Sequence, residues 1–356
     1  MLFRETYFVT GFPGFIAERL IERLASTETQ FFLLVQPHFV ERAMKEIEEI
    51  SVSTAVPLEN FVIVEGDITQ PQLGIPNADL ETIQFETTDV FHLAAAYDLD
   101  VEKDLAFRVN LQGTKNVNDL VLSIKDLKRY NYISTCYVAG KREGVILETE
   151  LEHKAGFRNY YEETKYLAEL EVERLKNMVP LTIFRPSVVV GDSETGETAK
   201  YDGIYYLIHY LRKAPWLLRL INVGNKQVKL NLVPVDFVVE GIAQLARDGA
   251  AMGKTIALAD PDPMTTAEIF DAIAVEMTGR KSEFAPPTRL VEWWLNTGLS
   301  PKLTGLPHSG VPYFFISQTY DTSVADELFA THSIKCPRFS DYVGNLLDFV
   351  EEYPSL

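Results

Sequence analysis

Tyr161 and Lys165 have the types and the spacing needed to move a proton to or from a substrate oxygen. They stand four residues apart in NYYEETKYLAE, so on a helix they share one face. A tyrosine hydroxyl has a reference pKa of about 10, and a nearby ammonium favours its phenolate form. Thr135 ends an earlier β-rich run and offers a hydroxyl that would orient the same oxygen. This set predicts acid–base chemistry at a carbonyl or hydroxyl group.

Other interpretations of these residues are simpler. A Tyr-x-x-x-Lys pair alone is common and is also compatible with a solvated helix face. Tyr160 is a competing tyrosine, but it is five residues from Lys165 and is predicted to point elsewhere. Cys136 could be an acyl-accepting nucleophile. No histidine base stands beside it, so a buried small residue is the favoured interpretation.

A glycine-containing loop follows the first predicted strand. Tyr7–Thr10 (YFVT) leads directly into GFPGFIAERL. Gly11 permits a tight turn, Gly14 lets backbone amides approach a pyrophosphate, and Ala17 allows close packing of helix on strand. The amides and positive dipole of the helix that starts at Phe15 then face the phosphates. Strand, loop and amphipathic helix in this order predict a dinucleotide site rather than a plain turn.

The elements that position these groups alternate along the chain. The predicted strands are 7–10, 31–35, 61–64, 89–93, 130–134 and 181–184, and the predicted helices are 15–25, 40–50, about 104–125 and about 160–177. This alternation indicates a doubly wound, Rossmann-type α/β fold with a parallel sheet. Residues 229–233 are predicted to return to the sheet as a strand, followed by a helix, and 261–279 to be helical.

Two regions are therefore expected. Residues 1–190 would form the dinucleotide-binding domain, with 226–255 returning to it. Residues 191–225 and 256–356 would form an interleaved substrate-binding region.

The ends of the predicted strands suggest further cofactor contacts. Gln36 ends the second strand, where an acid would favour NAD and an arginine NADP, and it decides neither. Arg42 could reach a 2′-phosphate or be a solvated helix charge. Asp67 could accept a hydrogen bond from adenine or stabilise a turn. In His92–Ala96 (HLAAA) the small residues would let the cofactor lie against the backbone, while His92 is expected to be a hydrogen-bonded core residue.

Charge and composition exclude several other classes. The 33 basic and 51 acidic residues give a net charge of −18, which disfavours nucleic acid as a partner. The two cysteines are far apart, which predicts no disulfide and a reducing compartment. No apolar run is long enough to span a bilayer, and no signal peptide is recognised, so we expect a cytoplasmic protein without an integral membrane segment.

Together these residues resemble the extended short-chain dehydrogenase/reductase family. The matching segments occur in the family's order between Thr10 and Val238: TGFPGFIA, GDIT, HLAAA, NLQGT, ISTCYVAG, YEETK, FRPSVVVG and LVPVDFV. The resemblance implies that Thr135, Tyr161 and Lys165 form the catalytic triad and that Asn110 supports the active-site helix. The implied cofactor contacts are Gly11, Phe12, Pro13, Gly14, Phe15, Ile16, Gln36, Arg42, Asp67, Ile68, Leu93, Ala94, Ala95, Tyr161, Lys165, Pro186 and Val188, with no metal ligands.

Within that family, ISTCYVAG and RPSVVVGDSETGE are most similar to the acyl-thioester reductases. These include the reductase domains of carboxylic acid reductases and the fatty acyl-CoA reductases of the male-sterility type. The resemblance implies NADPH-dependent reduction of a thioester to an aldehyde or alcohol, with NAD as a possible alternative cofactor. It also suggests a homodimer through the helices that carry Asn110 and Tyr161.

The expected substrate is a small molecule that is apolar or carries an acyl chain. Residues 204–221 (IYYLIHYLRKAPWLLRLI) could form a lid over it, a core helix or a dimer contact, and Trp293 and Trp294 share this ambiguity. A nucleotide-sugar epimerase or dehydratase with tightly bound NAD is the alternative enzyme. A scaffold that has lost its chemistry is a third hypothesis, which the intact Tyr161 and Lys165 disfavour.

Overall fold

A parallel β-sheet organises this chain in the computed structural model, which describes residues 3–201, 203–213, 222–287, 289–290, 293 and 311–355. The strands are β1 Glu5–Thr10, β2 Thr29–Val35, β3 Phe61–Glu65, β4 Asp89–His92, β5 Arg129–Ile133, β6 Gly144–Ile146, β7 Leu181–Pro186, β8 Val188–Val190, β9 Leu232–Pro234, β10 Thr255–Leu258 and β11 Gln318–Tyr320. Seven of them form the main sheet, in the order β10-β7-β5-β4-β1-β2-β3, and all its pairings are parallel.

Helices cover both faces of this sheet, and three more pack with β8 and β9 in a separate core. They are α1 Phe15–Leu24, α2 Val40–Thr54, α3 Asn77–Glu86, α4 Lys103–Ala106, α5 Gly113–Ser123, α6 Tyr160–Glu173, α7 Ile204–Lys213, α8 Val235–Leu245, α9 Thr266–Thr278, α10 Ser323–His332 and α11 Phe339–Glu352. A π-helix over Phe107–Gln112 joins α4 to α5. The chain winds outward from β1 in both directions, so the order of strands reverses between β1 and β4. Ligands of such sheets bind at the carboxyl ends of the strands beside this point. The predicted Rossmann-type fold is confirmed.

Successive strand residues point to opposite faces of the sheet and pack into two separate hydrophobic cores. Tyr7 and Val9 face α1, α2, α8 and α10, whereas Phe8, between them, faces α3, α5 and α6. Because both faces are covered, the strands are apolar on both sides, as parallel strands usually are. A third core joins α7, α9 and α11. The C-terminal region comprises the described residues that follow β10. Within the described ranges, no helix combines the length and apolar character needed to cross a membrane.

The strand predicted over residues 229–233 is wrong in its extent and its partner. The strand there is β9, and it pairs with β8 in a separate two-stranded sheet. The seventh strand of the main sheet is instead β10, beside β7, which no sequence pattern singled out. The sequence of β9 does not reveal its partner, because a short buried apolar run is equally compatible with pairing to β8 or to the edge strand β10.

The described part of residues 204–221 is the helix α7. Ile204, Ile208 and Leu211 are buried on one side of it and pack in the third core. Of the three roles predicted for this segment, namely lid, core helix and dimer contact, the buried face of α7 fits the core helix. Residues 214–221 and Trp294 lie outside the described residues, while Trp293 is exposed.

Glu148 attaches the C-terminal region to the sheet. Its buried carboxylate accepts hydrogen bonds from the amides of Ala257 (2.7 Å), Val324 (2.6 Å) and Ala325 (3.2 Å). The last two amides belong to the first turn of α10, where the helix dipole favours a negative charge. Burial nevertheless dominates and raises the pKa of Glu148 from 4.5 to about 7.

This raised pKa predicts a pH-dependent contribution to stability. Between pH 4.5 and about 7 the folded chain holds more of the Glu148 proton than the unfolded chain does. The free energy of unfolding attributable to this group therefore falls as pH rises through that window. We expect Glu148→Gln to remove this part of the slope, as measured by urea unfolding at a series of pH values. The exposed Glu59→Gln variant is the control, and an unchanged slope in the Glu148 variant would contradict the prediction.

Candidate active site

The glycine loop between β1 and α1 brings backbone segments closer together than a side chain at Gly11 or Gly14 would allow. Gly11 has φ +93°, and a Cβ there would lie 2.8 Å from the nitrogen of Ala94 and 2.9 Å from the carbonyl carbon of Leu93. A Cβ on Gly14 would lie 2.5 Å from the Gly11 oxygen. Gly14 is also the N-cap of α1 and provides no side-chain hydrogen bond to the helix amides. Free amide donors at a helix N-terminus, approached where Gly11 and Gly14 carry no side chains, fit a pyrophosphate group.

Substituting Gly11 by alanine tests this fit. The new methyl group collides with the end of β4 and the backbone stays left-handed, a strain on the order of 1–3 kcal/mol. We therefore expect roughly 10- to 100-fold weaker cofactor binding by fluorescence titration. Gly253→Ala is the matched control, since Gly253 also has positive φ (+77°) but has open space around its Cβ position. Equal affinity in both variants would exclude a cofactor at this loop.

Gln36 and Asp67 meet at the edge of the sheet where β2 and β3 end. The Gln36 Nε2 donates to Asp67 Oδ2 at 3.0 Å, and the other Asp67 oxygen accepts from the Thr69 amide at 2.8 Å. Asp67 thus makes a turn interaction, one of its two roles considered from sequence, and also accepts a hydrogen bond from Gln36. Arg42 lies on α2, half-exposed, and its Nε contacts Glu46 at 2.6 Å on the same helix.

The other predicted cofactor contacts lie along the same carboxyl edge. Leu93, Ala94 and Ala95 follow β4 and are partly buried beside Gly11. The remaining ones are Phe12, Pro13, Phe15 and Ile16 in and after the glycine loop, Ile68 after β3, Pro186 at the end of β7 and Val188 in β8.

Thr135 and Tyr161 come together beyond the carboxyl end of β5. Thr135 follows β5, and its Oγ1 accepts a hydrogen bond from the Tyr137 amide at 3.1 Å. Tyr161 lies in the first turn of α6 and is half-buried. Burial raises the pKa of Tyr161 to about 12, the nearby Thr135 side chain opposes this rise, and the Glu162 charge adds to it. Tyr160 is 40% exposed and points to the Lys103 ammonium, so it does not share this site.

Lys165 lies one turn further along α6 and is buried. Its Nζ donates to the Tyr132 hydroxyl at 3.2 Å and to the Ile133 carbonyl at 2.9 Å, and it sits 4.7 Å from the centre of the Tyr132 ring. Burial lowers the pKa of Lys165 to about 8, and Glu169 opposes this change. The Lys165 amino group is therefore held by neutral partners, and in the part of the chain that the structure describes no carboxylate forms an ion pair with it.

Asn110 connects the active-site helix to the end of β4. It is buried in the π-helix, and its Nδ2 donates to the Ala96 carbonyl at 3.1 Å and to Thr164 Oγ1 at 2.9 Å. Its Oδ1 accepts from the Ala96 amide at 2.7 Å. The extra residue in a π-helix turn redirects side chains and is frequent at functional sites. Asn110 thus supports α6 beside Tyr161 and Lys165.

His92 and Cys136 are buried structural groups, as expected from sequence. The two ring nitrogens of His92 contact Thr10 Oγ1 at 2.7 Å and Thr114 Oγ1 at 3.0 Å, and burial lowers its pKa to about 3. The Cys136 thiol donates to the Arg185 carbonyl at 3.1 Å, and burial raises its pKa. A thiol that resists ionisation is a poor nucleophile.

Sequence reasoning missed a buried ionic group behind the site. Glu169 is fully buried and accepts from Arg185 Nε at 2.9 Å and from the Ser134 hydroxyl. The Arg185 guanidinium also donates to the carbonyls of Glu148 and Glu150, each at 3.1 Å. The four-residue spacing from Lys165 to Glu169 could have revealed this group, since it places both side chains on the same face of α6.

Comparison with known proteins agrees with this architecture. Residues 9–242 match the model of the male sterility protein family of NAD-binding domains. The chain belongs to this family. It is therefore an extended short-chain dehydrogenase/reductase, and the family's members are NAD(P)-dependent oxidoreductases.

Individual relatives are more distant. A fatty acyl-CoA reductase of Drosophila melanogaster, named wat, is 27% identical over 68% of this chain and 54% of its own length, so the chain spans about half of that relative. The terminal R domain of the myxalamid PKS-NRPS pathway has TM-score 0.81 at 22% identity, covering 99% of this chain and 92% of that one. A UDP-glucuronic acid 4-epimerase of Bacillus cereus has TM-score 0.65 at 18% identity, covering 98% and 99%. At these levels of sequence identity, the two structural similarities support the fold alone.

Proposed function

We propose that this member of the male sterility family reduces an acyl thioester with NADPH, with Tyr161 as proton donor and a long acyl chain as the apolar part of the substrate. The observation that carries the proposal is the meeting of Thr135 and Tyr161, with Lys165 one turn away, at the same carboxyl edge of the sheet as the glycine loop. The similarity to a fatty acyl-CoA reductase supports the thioester as substrate class.

The residues of the chain have distinct roles in this mechanism. The nicotinamide cofactor, when bound, would supply the hydride. Thr135 and Tyr161 would hold the substrate carbonyl oxygen by hydrogen bonds, and Tyr161 would give it a proton as negative charge develops, so that the substrate becomes a hemithioacetal. Loss of that proton back to Tyr161, with cleavage of the C–S bond and protonation of the departing thiolate, would then release the aldehyde and the free thiol. The Lys165 ammonium, one turn further along α6, would favour the phenolate left behind.

NADP is the proposed cofactor, with Arg42 meeting its 2′-phosphate. Arg42 is 53% exposed and is paired with Glu46 one turn further along α2. The contact with the buried Glu46 carboxylate uses Nε, so the terminal amino groups of the Arg42 guanidinium could donate to a doubly charged phosphate while the pair is kept. Fluorescence titration should show tighter binding of NADPH than of NADH. Equal or tighter binding of NADH would refute the NADP assignment without affecting the reductase chemistry.

The substrate proposal is tested by adding a long-chain acyl-CoA to the NADPH complex and following the absorbance of the reduced cofactor. Oxidation that depends on the thioester supports the proposal. Tight cofactor binding without oxidation, together with conversion of a nucleotide sugar, would instead favour the epimerase or dehydratase hypothesis. Absence of binding of either cofactor would refute both hypotheses.

The proposal also includes the setting of the enzyme. A dinucleotide-binding domain of 1–190 and 226–255 would work with a substrate region of 191–225 and 256–356 in the cytoplasm. A homodimer is proposed through the helices around Asn110 and Tyr161, because α4, α5 and α6 expose Leu105, Leu122 and Tyr160 there. Light scattering that gives the mass of a single chain would refute the dimer.

A further inference from the structure

We infer that Tyr313 is a positioning residue through which the C-terminal region sets the first turn of the active-site helix. Tyr313 lies in the short helical turn Val311–Phe314, distant in sequence from α6. Its side chain is buried against the two segments that carry Thr135 and Tyr161. The inference rests on the proposed function only in giving Tyr161 the role of proton donor.

The Tyr313 hydroxyl closes a ring of hydrogen bonds around the start of α6. It donates to Glu162 Oε1 at 2.6 Å and accepts from Asn159 Nδ2 at 2.9 Å. Asn159 is the N-cap of α6, and its Oδ1 accepts from the Glu162 amide at 2.9 Å. Tyr161 lies between these two residues in the chain. A group that must donate on one side and accept on the other is served by a hydroxyl, and phenylalanine would satisfy neither partner.

The ring of Tyr313 also reaches the loop after β5. Its centre lies 4.6 Å from that of Tyr137, whose backbone amide holds Thr135 Oγ1. One side chain of the C-terminal region therefore contacts both segments that orient the substrate oxygen in the proposed mechanism. Gln318, further along the same segment, donates to the Gly140 carbonyl at 2.7 Å and reinforces this attachment.

The charge of Glu162 links Tyr313 to the acidity of Tyr161. Glu162 is fully buried beside Tyr161, and its negative charge raises the pKa of that hydroxyl. Tyr313 and Arg158 compensate this charge. The Tyr313 hydroxyl donates to Glu162 Oε1, the backbone amide of Arg158 donates to Glu162 Oε2 at 2.8 Å, and the Arg158 guanidinium lies 3.2 Å from Oε1. Facing Tyr161 itself are Thr135, Glu162 and Cys136, with Lys165 one turn further along α6. Loss of the Tyr313 hydroxyl leaves more of the Glu162 charge uncompensated, so Tyr161 becomes a weaker acid.

Tyr313→Phe tests the inference, with Tyr342→Phe as the matched control. Tyr342 is also buried in the C-terminal region, but its hydroxyl has no hydrogen-bond partner within the described part of the chain. We expect Tyr313→Phe to lower kcat for thioester reduction roughly 10-fold, with cofactor Kd within about two-fold of the parent enzyme. The control should leave kcat unchanged.

A spectroscopic readout separates positioning from a general loss of structure. Protein labelled with ¹³C at the tyrosine Cζ, in complex with NADP⁺, reports ionisation of Tyr161, which the Tyr161→Phe variant assigns. We expect its titration midpoint to rise in Tyr313→Phe by roughly half a pH unit or more. In a Glu162→Gln background the charge is absent, so adding Tyr313→Phe should give no further rise.

These outcomes distinguish the inference from the proposed function. An unchanged Tyr161 midpoint in Tyr313→Phe, or an equal rise with and without the Glu162 charge, would overturn the inference whatever the substrate is. If the parent enzyme reduces no thioester, the proposed function fails, and the NMR titration still decides the role of Tyr313. If Tyr313→Phe does not fold, the inference requires Glu162→Gln alone to lower the midpoint, and an unchanged or raised midpoint overturns it.

Discussion

Tyr161→Phe is expected to lower turnover by roughly 10²- to 10⁴-fold, the usual contribution of a positioned general acid. The substitution removes the hydroxyl that interacts with Thr135 and keeps the aromatic ring. The glycine loop and the uncapped start of α1 are untouched, so cofactor affinity should stay within about two-fold of the parent value. Steady-state kinetics and fluorescence titration measure the two quantities separately.

Tyr160→Phe is the control for this experiment. The two tyrosines are adjacent, but Tyr160 is exposed and its ring faces the Lys103 ammonium at 5.9 Å. The control variant should keep the turnover of the parent enzyme. Unchanged turnover in Tyr161→Phe, or an equal loss in both variants, would contradict the assignment of the proton donor.

Arg185→Met is expected to lower the free energy of unfolding by about 3–5 kcal/mol, because it leaves the Glu169 carboxylate buried without its ionic partner. Glu169 is fully buried, and Arg185 holds it as well as the carbonyls of Glu148 and Glu150. Removing the guanidinium therefore takes hydrogen-bond donors from three acceptors together, and among the residues that the structure describes Glu169 keeps only the hydroxyl of Ser134. Urea unfolding, monitored by circular dichroism, measures the change.

The matched control is Arg338→Met. Arg338 contacts Asp262 at 2.6 Å, but both side chains are 65% exposed. Exposed pairs contribute about 0–1 kcal/mol, so this variant should be nearly as stable as the parent chain. A loss of less than about 1 kcal/mol in Arg185→Met would mean that Glu169 is solvated or protonated in the folded chain.

The parts of the site that follow from local sequence were predictable. Strand β1, the glycine loop and α1 are consecutive, and the spacing of Tyr161 and Lys165 places them on one face of α6. Each prediction needs only residues a few positions apart and the periodicity of a helix or strand. The alternation of these units then leads to a doubly wound sheet.

The parts that depend on long-range contacts were not predictable. Tyr313 and Glu162 are 151 residues apart, and nothing in either segment indicates the other. Strand β9 was assigned to the main sheet because an apolar run is compatible with any buried edge, whereas the chain pairs it with β8. The π-helix around Asn110 was expected as ordinary helix, since the extra residue per turn leaves no clear pattern in sequence.

The most direct test of the proposed activity follows the hydride itself. The enzyme is mixed with NADPH deuterated at the transferable position and a long-chain acyl-CoA, and the products are analysed by mass spectrometry. A thioester reductase would place deuterium on the carbon that was the thioester carbonyl, in an aldehyde or alcohol. Oxidation of NADPH with no deuterium in an acyl product, or no reaction with the thioester at all, would contradict the proposed function.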